Sequence, residues 1–302
     1  MASHVAIWCF TDGKTGHKNQ IQGLINALVR RTSLTSHTIE IPISTFHFLY
    51  FLFSGKLYRQ LSSLPAPNYL LAAGRTTQLP MLLARWWFGG KCILLMRPYW
   101  PTKWFDMLII PRHDNPQTEV NIFVTDGAIN MVTPSVNHNQ EQGIILVGGP
   151  SKHYLWDSAT IIQQIATLVN DTPKICWTVV NSRRTPEDFS AQLEVFLVQL
   201  EFVDYRQTNQ SWLPQQLASA GQIWVSPDSV SMLYEALSSG ANVACLELKE
   251  KDANNRVVKG INDMIDRRII TSFSQWQKTR CLTLISHPLN EAQRAADWIL
   301  KQ

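Results

Sequence analysis

Short runs of β-branched and aromatic residues alternate with stretches of helical periodicity through nearly all of this 302-residue chain, which leaves few folds open. Strand, crossover helix and strand in repetition build parallel sheets covered by helices. The sharpest instance lies late in the chain. Residues 222–225 read as a buried strand and 242–248 as a second. Between them Val230, Leu233 and Leu237 fall at helical spacing, and Gly240 stands where a left-handed residue ends a helix. The turn holding Asp228, Ser229 and Ser231 therefore follows a strand and opens a helix. Amides of a first helical turn have no partner within the helix, and the helix dipole adds roughly half a positive charge there. A diphosphate docks well on such a tip. Glu235, about two turns along, is placed to accept hydrogen bonds from a ribose diol. The plainer alternative has Asp228 and Ser229 capping the helix and Glu235 in solvent.

The same pattern divides the chain in two. Residues 4–11, 38–43, 68–75, 91–97, 105–111 and 121–125 read as strands of a first half. Its clearest helix carries Ile21, Leu24, Ile25, Leu28 and Val29 on one face, and 78–88 is another. Residues 130–142 turn polar and aperiodic, as a linker would. Strands at 143–147, 174–180 and 202–205 follow, with helices at 158–169, 186–200, 214–220, 255–268 and 290–301. One of these starts with Thr185 as N-cap, Pro186 in the first helical position and Asp188 in the first turn. The expected fold is α/β: two Rossmann-like parallel-sheet domains, 1–135 and 140–285, facing a central cleft. A terminal helix within 286–302 is free to return to the first domain.

Composition narrows the function. With 45% hydrophobic and 17% charged residues the chain is globular. Its net charge of +4 suits an anionic ligand or a membrane surface, but no dense Lys/Arg stripe marks a nucleic-acid binder. Five scattered cysteines, four of them in strand-like runs and none in a CxxC pair, fit buried free thiols in a reducing compartment. The start leads straight into a strand without a signal peptide, and no apolar run reaches the roughly 20 residues of a spanning helix. A cytoplasmic protein is expected, with peripheral contact at the inner face of the membrane. That contact is suggested by the aromatic segment 46–53 with Lys56 and Arg59 on its flank; a buried or interface helix is its plainer reading.

In doubly wound sheets ligands bind outside the carboxyl ends of strands. Three polar clusters of the first half follow strands: Asp12 to Gln20 (with Gly13, Lys14, Gly16 and His17), Gly74-Arg75, and Arg112-His113-Asp114. Gly13-Lys14-Thr15 is not a P-loop, because Trp8 stands where the other glycine is required. In the second half Gly148 and Gly149 allow a close backbone approach, and beyond Ser182 either Arg183 or Arg184 can neutralise a phosphate. The histidines show no zinc-ligand spacing, and no GxSxG elbow presents a serine nucleophile. What remains suits glycosyl transfer, which needs a stabilised diphosphate leaving group and a general base; His17, Asp12, His113 and Asp114 are the candidates.

Taken in order, these motifs, with Val147-Gly148-Gly149, Ser182-Arg183-Arg184-Thr185-Pro186 and Asp228-Ser229-Val230-Ser231-Met232 followed by Glu235-Ala236, resemble one family over nearly the whole chain. It is the bacterial and plant family named after a mitochondrial-fission protein of the elongated-mitochondria phenotype. The resemblance implies a glycosyltransferase of GT-B architecture, with Met232 inside the donor motif. A more distant likeness is to the peptidoglycan N-acetylglucosaminyltransferase, since Asp228, Glu235 and Gly240 reproduce the spacing of its donor-site helix. That likeness places Glu235 on the ribose, Ser229 and Ser231 at the diphosphate, and the loop at Gly13 to His17, with Gln20, toward the acceptor. Gly74 and Arg75 join that acceptor group. The loop departs in having only two glycines.

The function expected is a metal-independent, cofactor-free glycosyltransferase using a nucleotide-diphosphate sugar. Its acceptor belongs to the cell envelope, at the membrane surface or lipid-linked. A nucleotide-sugar 2-epimerase, with Asp12, Asp106 and Asp114 near the sugar, is the enzymatic alternative. A non-enzymatic membrane- or partner-binding scaffold is the other.

Overall fold

A computed structural model describes residues 5–42, 50, 54–196, 200–209, 211–284 and 288–302. The aromatic segment expected to meet a membrane, 46–53, lies outside the described residues except for Tyr50. The chain forms two compact units, Met1–Met131 with Asn290–Gln302, and Val132–Leu289.

The first unit is a six-stranded sheet in which every pairing is parallel. Its strands are β1 (Val5–Thr11), β2 (Leu34–Glu40), β3 (Tyr69–Ala73), β4 (Lys91–Leu94), β5 (Met107–Pro111) and β6 (Ile122–Thr125), in the order β2-β1-β3-β4-β5-β6. Successive strand residues point to opposite faces. Ile7 and Cys9 accordingly join helix α1 (Thr15–Val29) in one core, while Trp8 and Phe10 join α2 (Lys56–Ser62) and α3 (Gln78–Phe88) in the other. The C-terminal helix completes the first of these layers, with Ala292, Ala295, Ala296 and Ile299 packed in the cluster that holds Leu24 and Leu28.

The second unit repeats the architecture with a different winding. Strands β7 (Asn139–Leu146), β8 (Cys176–Val180), β9 (Glu201–Val203), β10 (Ala220–Val225), β11 (Asn242–Cys245) and β12 (Thr271–Ser272) are all parallel, in the order β12-β11-β10-β7-β8-β9. Its helices are α4 (Ser158–Asp171), α5 (Phe189–Phe196), α6 (Trp212–Ser219), α7 (Val230–Ser239), α8 (Arg256–Asp266) and α9 (Phe273–Thr279), and the terminal helix of the first unit is α10 (Glu291–Ile299). Each sheet reverses its winding once, between β1 and β3 in one and between β7 and β10 in the other. A crevice opens at the carboxyl ends of strands at such a switch point.

Several boundaries differ from expectation for identifiable reasons. Strand β7 starts at Asn139, four residues before its expected start at 143, because Asn139 pairs with Ala220 while its side chain stays in solvent. Helix α5 starts at Phe189 rather than at Pro186, because the Thr185 hydroxyl is engaged elsewhere. Helix α9 was not expected at all; a reciprocal cap between Ser272 and Gln275 starts it, and Trp276 packs on Trp224 at 5.4 Å. Cys9, Cys92 and Cys245 are buried, but Cys176 opens its strand and is exposed, as is Cys281. Among the described residues no helix is long and apolar enough to cross a membrane.

Helix α10 belongs to the first unit through side chains rather than through sequence neighbours. Ile299→Ala is expected to cost about 2–5 kcal/mol, the range for truncating a fully buried aliphatic residue. Hydrogen exchange should show the loss of protection in α1 and α10, with amides of β7 and β10 unchanged. A loss spread equally over both units would contradict this assignment.

Candidate functional site

At the switch point of the first unit, Thr11 ends β1 and the buried Asp12 follows it. The chain then turns through Gly13, whose positive φ of 79° favours glycine, and enters α1 through Lys14, Thr15, Gly16 and His17. Lys14 stands at the N-cap without a side-chain cap, so the exposed tip of α1 keeps its amides for other use. The Asp12 carboxylate lies 2.7 Å from His17 Nδ1 and 3.3 Å from Lys14 Nζ. Burial alone would raise the Asp12 carboxyl, but the hydrogen bond and charge of His17, joined by Lys14, outweigh it and hold the group below its ordinary value. An ionised Asp12 makes Nδ1 the donor and leaves Nε2 with the lone pair, the arrangement of an oriented general base.

Gly74 closes this site from β3. A Cβ there would meet His17 Nδ1 at 2.9 Å and Asp12 Oδ2 at 3.1 Å, and its φ of 111° excludes most side chains independently. The Gly74 amide donates to Met96 Sδ, and the buried Gln78 accepts from the Tyr99 amide. The neighbouring Arg75 guanidinium lies over the Tyr99 ring at 3.9 Å. Asp12, Gly13, Lys14, Gly16, His17, Gly74 and Arg75 thus gather at the β1/β3 switch, with Gln20 half-buried one turn further along α1.

His113 and Asp114 do not share this crevice. They sit half-buried on a 3-10 turn after β5, three strands from β1, and Arg112 beside them bonds Asp126 at 2.8 Å. Asp126 also holds α10, through its amide to Glu291 and its carboxylate near Arg294. Asp106 is committed as well, to Arg85 at 3.1 Å and to the Cys92 amide at 2.7 Å. Of the three carboxylates an epimerase would use, only Asp12 lies at the switch point.

At the switch point of the second unit one carboxylate ties three loops together. Asp228 Oδ1 accepts from the Ser226 hydroxyl at 2.7 Å, and that hydroxyl accepts from the Gly148 amide at 2.7 Å. Asp228 Oδ2 accepts from the Gly149 amide at 2.9 Å and pairs with Arg184 Nη2 at 2.7 Å. The loops after β7, β8 and β10 are thereby joined. Neither Gly148 nor Gly149 has room for a side chain: a Cβ on Gly148 would stand 2.0 Å from Asp228, and one on Gly149 1.9 Å from the Arg184 carbonyl. Ser182 is drawn in too, its hydroxyl donating to the Gly148 carbonyl at 3.1 Å. Thr185, expected as an N-cap, accepts from the Ser182 amide at 2.8 Å instead.

The consequence falls on α7. Asp228 faces backward into this network, and Ser229, at the N-cap, makes no cap hydrogen bond. Asp157, Asn255 and Ser272 do cap α4, α8 and α9. Among the described residues, the first-turn amides of Val230, Ser231 and Met232 thus have no side-chain cap. Of the two arginines expected to meet phosphate, Arg184 is engaged by Asp228 and Arg183 is exposed beside it. Glu235 is half-buried; enough protein surrounds its carboxyl that burial pushes it up to about 7, opposed by a hydrogen bond from Ser231. Among the described residues no three His, Cys, Asp or Glu side chains gather closely enough to hold a metal ion.

Ser226, Met96 and Tyr99 are the site residues that sequence reasoning missed. None has a local signature, because each acts on a partner at least 22 residues away or, for Ser226, on a carboxylate whose role depends on such partners.

With this geometry established, three likenesses to other proteins bear on the chain. The Uncharacterized protein RP120 of Rickettsia prowazekii is 21% identical over 353 residues, covering 97% of this chain and 97% of that one. The crystal structure of MurG from Acinetobacter baumannii has a TM-score of 0.56 at 12% identity, covering 99% of this chain and 100% of its own. UDP-GlcNAc 2-epimerase from Neisseria meningitidis, bound to UDP-GlcNAc, has a TM-score of 0.51 at 12% identity, with the same coverage. The fold is therefore GT-B-like, two Rossmann-like units each with a parallel sheet. A family model described as Mitochondrial fission ELM1 matches residues 15–302.

The buried setting of Glu235 has a measurable sign. Its folded pKa of about 7 stands above the ordinary 4.5, so the stability of the neutral form is fully present below about pH 4.5 and is lost as pH rises through about 7. Glu235→Gln stays neutral throughout. By urea unfolding, the stability advantage of this variant over wild type is expected to widen by about 2 kcal/mol between pH 5 and pH 8.5. A gap that stays constant across that range would show the carboxyl to be solvated.

Proposed function

The chain belongs to the Mitochondrial fission ELM1 family, and on that premise we propose that it is a GT-B glycosyltransferase using a nucleotide-diphosphate sugar without a metal. The observation that carries the proposal is the open tip of α7, left uncapped because Asp228 faces away from it. Diphosphate oxygens accept hydrogen bonds from the amides of Val230 to Met232 and charge from Arg183. Ribose hydroxyls donate to Glu235, which binding of the nucleotide draws toward its ionised form. That UDP-GlcNAc occupies the epimerase of similar fold supports a nucleotide sugar as the ligand.

His17 supplies the chemistry in the first unit. Its Nε2 takes the proton of the acceptor hydroxyl as that oxygen attacks the anomeric carbon. The bond from anomeric carbon to diphosphate oxygen breaks, and the nucleoside diphosphate leaves with the electron pair, its charge held by the α7 amides and Arg183. Asp12 keeps the His17 ring in the required tautomer and stabilises the imidazolium that forms. A membrane-surface or lipid-linked hydroxyl is the acceptor class proposed.

Titration calorimetry against uridine and guanosine diphosphates tests the donor site, with Glu235→Ala and Arg183→Met each expected to weaken binding about tenfold or more. His17→Ala is expected to bind nucleotide as wild type does and to lose sugar transfer or hydrolysis by about a hundredfold or more. Absence of binding to any nucleoside diphosphate would favour a scaffold, and rearrangement of a labelled sugar without acceptor would favour an epimerase.

A further inference from the structure

Between Glu40 and Asp106 the chain carries no acidic residue, while seven lysines and arginines fall within that span. A stretch of this length without a single carboxylate is unusual in a chain whose charges otherwise nearly balance. In the fold, part of it forms one surface on the first unit. Tyr58 of α2 packs on Phe88 at 5.4 Å and on Trp87 at 5.4 Å, both at the C-terminal end of α3. Arg85, in the same turn of α3, donates to the Trp104 carbonyl at 2.9 Å, and Trp104 stacks on Trp100 at 5.5 Å. Helix α2, the end of α3 and the loop before β5 therefore meet.

Three of the elements' rings at this junction are exposed. Trp86 is 80% exposed, Tyr58 49% and Trp104 43%. Single exposed apolar residues need no explanation, but several large rings held on packed supports do. Lys56 and Arg59 of α2 and Lys103 of the loop before β5 are exposed on the same elements, with Lys56 over the Tyr50 ring at 4.8 Å. Indole and phenol rings combine an apolar body with a polar tip, which favours the boundary between lipid headgroups and acyl chains. Lysine and arginine stems lie along such a surface and present their charge to anionic headgroups.

We propose that this face, centred on Tyr58, Trp86 and Trp104 and edged by Lys56, Arg59 and Lys103, docks the protein on an anionic lipid bilayer. The binding is interfacial: rings enter the headgroup layer and no helix crosses the membrane. Charge complementarity selects this partner, since no acidic residue lies between Glu40 and Asp106 and Asp106 itself is paired with Arg85 at 3.1 Å. The same loop reaches the candidate acceptor site, because Tyr99 carries Arg75, which follows Gly74 beneath Asp12 and His17. Docking there would set that site close to hydroxyls borne by the membrane. The surface itself does not depend on the transferase reading and is tested without nucleotide.

Co-sedimentation of the full chain with vesicles of phosphatidylcholine alone, or with one third phosphatidylglycerol, reads the proposal directly. Binding is expected to the anionic vesicles, weakening with salt and about fivefold with each cation removed in Lys56→Gln or Lys103→Gln. Trp86→Ser, at a position too exposed to disturb folding, is expected to reduce binding severalfold with the thermal midpoint unchanged. Equal sedimentation with neutral and anionic vesicles, no sedimentation with either, or indifference to Trp86→Ser would overturn the assignment. Preference for single-stranded RNA over anionic vesicles in competition would overturn it equally, by showing that the rings stack on bases.

Discussion

The carboxylate of Asp228 decides how the second unit presents itself to a ligand. Buried and with both oxygens occupied, it joins the ends of β7, β8 and β10, three adjacent strands of the sheet. A buried charge is tolerated only when paired and hydrogen-bonded, and here a guanidinium, a backbone amide and a hydroxyl meet that requirement. Two features follow from its orientation. The glycines at 148 and 149 have no room for a side chain. The helix after it begins without a cap, although an aspartate and a serine stand where caps are ordinarily found.

The first unit solves a parallel problem at its own switch point. There too an aspartate follows the strand and a glycine from the neighbouring strand lies against it, but the partner is a histidine whose second ring nitrogen has no partner among the described residues. Asp12 orients a group that can take a proton, whereas Asp228 orients backbone. The contrast separates the two units chemically: one offers a base and the other offers amides and the exposed Arg183.

Much of the architecture was legible because its causes are local. The alternation of β-branched runs with helical spacing predicted two parallel-sheet halves, Gln78–Phe88 matched its helix from end to end, and Gly240 ends α7 in the left-handed conformation expected of it. The site was legible only in part, and the division has a physical cause. Asp12, His17 and Gly74 could be named, since each follows a strand, but their mutual contact spans more than fifty residues of chain. The Ser182-Arg183-Arg184 run showed two equivalent cations; a carboxylate 44 positions later distinguishes them. Thr185 resembled a cap until a loop from another strand claimed its hydroxyl. Residues whose partners are distant carry no periodic or spacing signal of their own.

Family membership and a GT-B-like fold bound the function without choosing the chemistry, since transferases and epimerases share that architecture. This chain carries an oriented histidine in its first unit and an uncapped helix tip in its second. The most direct test of the latter is amide chemical-shift perturbation as uridine diphosphate or guanosine diphosphate is added. Large shifts at Val230, Ser231 and Met232 that exceed those of inorganic phosphate at equal concentration are the result this account predicts. Shifts confined to other helix termini, or none at these three amides at saturation, would contradict it.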